Sequence, residues 1–180
     1  MKENMRNKES IKMVPSIERA SKMISTSANY RRVKSYLDKH DWHYSCQDSS
    51  NKGRRILSGF VGTGKGLFTT FSFTLWVEND IIQSFSTLPF SIPENKRVKA
   101  AELIVRLNYL LKCGAFELDF SDGEVRYRVI RSGISLMYDG DEVMRYLLTL
   151  PIMMIKHYVE AFFELVQTDK SVEKVFKKFS

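Results

Sequence analysis

The stretch LFTTFSFTLWVE, residues 67–78, is the clearest indicator of the fold. Its odd-numbered positions are apolar apart from Thr69, whereas small polar side chains occupy three alternate positions, Thr70, Ser72 and Thr74. An alternation with a period of two is typical of a β-strand that buries one face. We therefore predict a strand over 67–78 whose odd-numbered side chains face the core.

Further strands are predicted on both sides of this stretch. Residues 56–61 come before it, separated by a glycine-rich turn, and residues 81–88 follow after Asn79 and Asp80, which indicates an antiparallel meander. Near the middle of the chain, Asp122 and Gly123 are typical of a two-residue hairpin turn. That turn predicts the pairs Phe120–Val125, Leu118–Tyr127, Phe116–Val129, Asp119–Arg126 and Glu117–Arg128.

Four helical segments are predicted around the strands. The first covers 29–40, and the second begins at a capping box of Ser91 and Glu94 and ends near Gly114. A long helix over 139–167 contains Pro151 as a kink or break, and a short amphipathic segment covers 172–179. The predicted fold class is therefore α+β, with an antiparallel sheet (a meander plus a C-terminal hairpin) flanked by helices in a single domain.

The net charge of +7 is carried by the ends of the 180-residue chain. Residues 1–34 have a net charge of +6, residues 35–165 of −1 and residues 166–180 of +2. We therefore predict a basic N-terminal extension over 1–27, a domain over 28–168 and a short amphipathic segment over 169–180. The candidate anion-binding residues are Lys12, Arg19, Lys22, Arg31 and Arg32. Binding of a nucleic acid or of an anionic surface through this extension is the alternative function, although no aromatic residues are interleaved with its cations.

No motif indicates a reaction, a metal or a cofactor. Residues 59–66 match a P-loop until Gly66, which stands where the magnesium-binding hydroxyl belongs, and a strand rather than a helix is predicted next. His40, His43 and Cys46 lack the further ligands of a zinc site. We predict a non-enzymatic protein without metal or cofactor.

The first thirty residues contain no apolar core of a signal peptide. The most apolar stretch, 147–155, is far shorter than the ~20 residues that span a bilayer. We therefore expect a cytoplasmic protein that is not in a membrane, with both cysteines reduced.

The two longer helices carry more apolar residues than one buried face requires. Met153, Met154 and Phe163 fall outside the main stripe of the 139–167 helix and are candidate partner-binding residues. The alternative is that residues 1–27 or 169–180 cover this surplus within the chain. Asn108 lies on the apolar side of its helix, and we expect it to be buried and hydrogen-bonded to backbone rather than to a ligand.

Four segments resemble the YbjN family, namely IPENKR at 92–97, RLNY at 106–109, GAFELD at 114–119 and DGEVRYR at 122–128. The KHY segment at 156–158 is similar to the family's closing helix, whereas residues 129–138 depart from its pattern. The resemblance implies a fold like that of type III secretion chaperones and a bacterial regulator without an established reaction. It therefore implies binding of a protein partner. The surplus apolar surface of the two longer helices, and not the resemblance, is the reason to expect a homodimer as one form of this binding.

Overall fold

The computed structural model describes residues 26–49, 54–64, 66–78 and 80–179 of the chain. The strands are β1 Ser45–Ser49, β2 Arg54–Gly62, β3 Thr70–Val77, β4 Ile81–Thr87, β5 Ala115–Leu118 and β6 Val125–Ser132. The helices are α1 Thr26–Lys39, α2 Arg97–Leu110, α3 Ser135–Tyr138, α4 Gly140–Gln167 and α5 Val172–Phe179, and a 3-10 turn, Glu94–Lys96, comes directly before α2.

The strands form one antiparallel sheet in the order β1-β2-β3-β4-β6-β5. Strands β1 to β4 are a meander, and the β5–β6 hairpin joins it through β6, so β5 becomes an edge strand. The predicted α+β class, with a meander, a hairpin and flanking helices in one domain, is confirmed.

The alternation in β3 decides which face of the sheet is buried. Phe71, Phe73, Leu75 and Val77 are almost fully buried, and the side chains between them are half-buried. Helix α4 crosses β3, β4 and β6 on this face, and α1 contacts β2 and β3. The strand begins at Thr70 rather than at 67, and Leu67 is exposed in the preceding loop.

Pro151 lies inside α4 without interrupting it. The helix continues over 28 residues, and its predicted stripe is buried from Met144 to Phe162. Proline lacks the N–H that would bond one turn back, which leaves one carbonyl group without its helical partner. Of the two predicted effects of Pro151, a kink or a break, the break is wrong, since one continuous helix extends over this residue.

The predicted capping box at Ser91 is wrong. The helical segment begins with the 3-10 turn after Pro93, and no side chain caps either this turn or α2. The backbone of Ile92 instead donates its N–H to the carbonyl oxygen of Gly123, with 2.8 Å between the two atoms. A Cβ on Gly123 would lie 2.1 Å from the Ile92 oxygen, so this close approach, at a φ of +81°, requires glycine.

The predicted hairpin register is wrong by two residues. Phe116 pairs with Tyr127 and Leu118 pairs with Val125, so the faces of the strands are as predicted but the connecting loop is longer. Asp119 explains the longer loop, because its carboxylate accepts hydrogen bonds from both the N–H and the hydroxyl of Ser121. Arg126 consequently pairs with Glu117 instead of Asp119. Arg128 also forms its predicted ion pair with Glu117, although the two residues are not directly opposite in the register.

Helix α5 packs against both α2 and α4. Val172 and Val175 are buried, and Phe176 and Phe179 pack against the core beside them. Lys178 and Lys170 both donate to the Glu164 carboxylate of α4, with 2.5 Å between the paired atoms in each case. The C-terminal segment is thus part of the helical layer.

Candidate functional site

Helix α2 presents a row of apolar side chains to solvent. Val98, Val105 and Tyr109 are 76%, 69% and 90% exposed, respectively. Their spacing of seven and four residues places them on one side of the helix, opposite the buried Leu103 and Leu107. The exposed Glu102 lies on the same side of the helix, between Val98 and Val105. Apolar side chains that solvent reaches in a row are typical of a binding surface, and we call Val98, Val105 and Tyr109 the α2 stripe.

Asn108 fixes α2 to the edge strand β5. Its Nδ2 donates to the carbonyl oxygen of Phe116 at 3.0 Å, and its Oδ1 accepts from the Phe116 N–H at 2.8 Å. One side-chain amide thus makes the two bonds that a neighbouring strand would make at this residue. The expected backbone contact of Asn108 is confirmed, although the side chain is half-buried rather than fully buried.

Helix α5 borders the α2 stripe on the other side. The Lys96 ammonium group donates to Thr168 O at 2.8 Å and to Asp169 Oδ1 at 3.1 Å, which holds the start of α5 beside the start of α2. The same lysine lowers the pKa of the Asp169 carboxyl. The stripe therefore lies between a fixed helix and a fixed strand, a rigid setting that lowers the entropy cost of binding.

The three candidate partner-binding residues of α4 do not form one exposed surface. Met153 is 63% exposed, but Met154 is half-buried and packs against the core. Phe163 packs edge-on against Phe68 and Phe90, with ring centroids 5.5 and 5.8 Å apart. Loop aromatics within the chain therefore cover Phe163, whereas Met153 of α4 and the α2 stripe remain exposed.

Arg31 and Arg32 line an open cleft of about 480 Å³ between α1 and the start of α4. Lys39 lies in the same cleft and pairs with Asp141 at 2.6 Å, and this hydrogen bond lowers the pKa of the Asp141 carboxyl. The other candidate anion-binding residues, Lys12, Arg19 and Lys22, lie outside the described residues.

The glycine-rich segment connects two strands. Gly64 and Gly66 have positive φ angles, and β3 follows them, so no helix N-terminus lies there to hold a phosphate. The predicted turn is confirmed. Among the described residues, no group of three or more histidine, cysteine and acidic side chains is arranged to hold a metal ion.

The sheet face opposite α4 carries arginine and aromatic side chains. The Arg54 guanidinium lies 4.2 Å from the centre of the Trp76 ring and 2.7 Å from Glu78. Arg126 lies 5.1 Å from the centre of the Phe85 ring and pairs with Glu117. Arg128 shares Glu117 with Arg126, so two carboxylates pair with three arginines and the face offers little net positive charge to a phosphate backbone.

The α2 stripe was only partly recognisable in the sequence. Val98 and Val105 stand among many apolar residues that cover most of the helix circumference, which predicted cover on more than one side. The spacing of Val98, Val105 and Tyr109, at positions i, i+7 and i+11, was the one pattern in the sequence that indicated this stripe. Which stripe faces the core, however, depends on where β5 and α5 lie.

Comparisons with known proteins give no relative for this chain. No protein-family model matches it, and neither the curated proteins nor the solved structures contain a significant match. Within the described residues, every helix is too short or too polar to cross a bilayer.

Proposed function

We propose that this protein is a non-enzymatic protein-binding module with a regulatory or chaperone-like role and that the α2 stripe is its binding surface. The observation that supports this proposal is the exposure of Val98, Val105 and Tyr109 on a helix whose opposite side is buried in the core. Tyrosine is enriched at protein interfaces because its ring is large and rigid and its hydroxyl remains able to bond.

The test is site-specific photo-cross-linking. A photoreactive phenylalanine analogue replaces Val105, and a control protein carries it at Tyr138, which is 73% exposed on α3. We expect cross-linked proteins that are specific to position 105 and that disappear when Val98 and Tyr109 are both changed to serine. Identical cross-linking at the two positions, or cross-linking that survives the serine changes, contradicts the proposal.

Anion binding near the N-terminal extension is the second candidate function. The supporting observation is that Arg31, Arg32 and Lys39 line one cleft. Fluorescence anisotropy with a single-stranded oligonucleotide tests it, because phosphate contacts give an affinity that falls steeply with salt. Binding that is salt-sensitive and weakened by Arg31→Glu supports this function, and salt-independent binding or no binding rejects it.

Three further proposals rest on the sequence resemblance and on composition. We propose that the chain is a YbjN-like bacterial protein with a secretion-chaperone-like fold, that it is cytoplasmic and that it can form a homodimer. Light scattering coupled to size exclusion tests the last of these, since a mass of 21.0 kDa at every concentration would identify a monomer.

A further inference from the structure

The surface around the α2 stripe is positively charged. Helices α2 and α5 together carry the cations Arg97, Lys99, Arg106, Lys174, Lys177 and Lys178 and only the anions Glu102 and Glu173. The two helices thus have a net charge of +4, although the central domain as a whole is nearly neutral.

The few acidic groups of this surface are already paired. Glu102 accepts from Arg106 at 2.8 Å, and Glu173 accepts from Lys177 at 2.7 Å. Lys177, and after it Arg106, lower the pKa of the Glu173 carboxyl, so this acid of α5 lies close to α2. Within the described part of the chain, Lys174 forms no ion pair. Lys99 forms none there either, but after Lys96 it lowers the pKa of the Asp169 carboxyl and therefore lies near that acid. Both lysines remain able to attract a negatively charged partner.

We infer that the partner of the α2 stripe presents an acidic amphipathic segment, whose apolar side covers Val98, Val105 and Tyr109 and whose carboxylates face Lys99 and Lys174. This inference rests on the proposed function and adds the chemistry of the partner. A row of apolar side chains with cations along one border matches an amphipathic helix that has acidic residues beside its apolar anchors.

Two other occupants fit this surface less well. A second copy of the chain would bring the same net charge of +4 against itself, and like charges across an interface oppose association. A nucleic acid would use the lysines but would leave Val98 and Val105 in contact with phosphate and water. The apolar centre therefore favours a protein segment over both.

The experiment uses two designed peptide probes of about 18 residues, which is five turns of helix. Both have leucine at helical spacing, and the remaining positions are mainly glutamate in one and mainly lysine in the other. Fluorescence anisotropy measures their binding to the full chain at about 50 mM and about 300 mM NaCl. We expect the acidic peptide to bind about tenfold more tightly at low salt and to lose most of this advantage at high salt.

Charge-reversal variants locate the effect. Lys99→Glu with Lys174→Glu should weaken binding of the acidic peptide about tenfold, and Lys174→Glu alone, at an exposed position, should weaken it about threefold. The matched control is Lys34→Glu with Lys156→Glu, at exposed positions on α1 and α4, which changes the net charge equally. We expect the control to bind the acidic peptide about as tightly as the unchanged protein.

Three results would overturn the inference. Equal affinity for the two peptides would show that charge does not select the partner, while cross-linking at position 105 would still support the proposed function. Absence of binding by the acidic peptide would also overturn the inference, and the cross-linking at position 105 would again test the proposed function separately. Tighter binding of a single-stranded oligonucleotide that is lost in the Lys99 and Lys174 variant would assign the surface to nucleic acid instead.

Discussion

The two hydrogen bonds between Asn108 and Phe116 give a prediction whose size and pH dependence both follow from the structure. Asn108→Asp keeps the size and the acceptor of the side chain but removes the amide donor that bonds Phe116 O at 3.0 Å. The bond from the Phe116 N–H, at 2.8 Å, can remain. The substitution therefore removes one bond and places a carboxylate oxygen against a carbonyl oxygen.

The expected loss of stability follows from these contacts. One hydrogen bond contributes about 1 kcal/mol, and a buried polar group left without a partner costs about 1–3 kcal/mol. Because Asn108 is half-buried, we expect Asn108→Asp to lower the free energy of unfolding by about 2 kcal/mol at neutral pH. Asn108→Ala loses both hydrogen bonds but adds no charge. We expect it to lower the free energy of unfolding by about 2–3 kcal/mol, which corresponds to a decrease in Tm of about 4–12 °C.

The pH dependence separates the hydrogen-bond mechanism from a general packing defect. When protonated, the introduced carboxyl can donate to Phe116 O and still accept from the N–H, so its pKa in the folded state should exceed the ordinary value of about 3.9. A group with a raised folded-state pKa stabilises the fold below its unfolded pKa and loses this contribution as the pH rises through the folded pKa. The stability gap to the unchanged protein should therefore narrow as the pH falls from the raised folded-state pKa to about 4, and it should stay narrow below that pH.

Urea denaturation followed by tryptophan fluorescence measures the gap, since Trp42 and Trp76 report from opposite faces of the sheet. Asn95→Asp is the matched control, because Asn95 is exposed and the charge change is the same. Hydrogen exchange of the Phe116 amide should be slow in the unchanged protein and fast in Asn108→Ala. A gap that does not change between pH 7 and pH 3.5, or an Asn108→Asp protein as stable as the Asn95→Asp control, would refute the reasoning.

Three further substitutions test other parts of the fold. Gly123→Ala should lower the free energy of unfolding by about 2 kcal/mol or more, because its Cβ would lie 2.1 Å from Ile92 O. Gly140→Ala, with open space around the new Cβ, should instead raise it by about 0.4–1 kcal/mol. Equal effects of the two substitutions in thermal unfolding would contradict this prediction. Ser84→Ala should raise the free energy of unfolding by up to about 1 kcal/mol, since the buried hydroxyl has no partner among the described residues, and a loss in urea denaturation would show that it has one. Burial raises the pKa of Tyr127 to about 12, so the protonated side chain stabilises the fold fully below about pH 10, and this contribution is lost as the pH rises to about 12. Tyr127→Phe should therefore remove the decrease in stability between about pH 10 and about pH 12, and an unchanged pH profile of stability would contradict the assignment.

Local patterns in the sequence predicted the elements of the fold well. The alternation of β3 identified both the strand and its buried face, because a period of two leaves few other conformations that bury one side. The backbone contact of Asn108 was predictable as well, since an amide on the apolar side of a helix must find a hydrogen-bond partner.

The errors in the predicted boundaries occur where the conformation of a segment depends on a contact with residues distant in the sequence. The hairpin loop is longer than a two-residue turn because the Asp119 side chain bonds Ser121 and because Gly123 packs on Ile92. The same contact at Ile92 places the helix start beyond Ser91. No local pattern contains such a contact, so both boundaries moved.

The sequence predicted that excess apolar surface exists on the longer helices, but it did not predict where the candidate binding surface lies. The excess of apolar residues on α2 and α4 was visible in composition, but its location depended on the positions of α5, Phe68 and Phe90. These elements cover part of α4 and one side of α2, and they leave Met153 and the α2 stripe exposed. Helix periodicity shows how much apolar surface exists, and only the tertiary arrangement shows how much of it the chain covers.

The two edges of the sheet differ in a way that limits how copies of this chain can assemble. At β5, the Asn108 amide occupies the outward hydrogen-bonding groups of Phe116, so a strand from another molecule cannot continue the sheet there. Within the described residues, strand addition is left to β1, which has no neighbour on its outer side. Two copies joined edge to edge at β1 would be related by a twofold axis, and each would end at a closed β5 edge. Edge-to-edge growth of this sheet therefore stops at a pair, which protects the protein against fibre formation by this route.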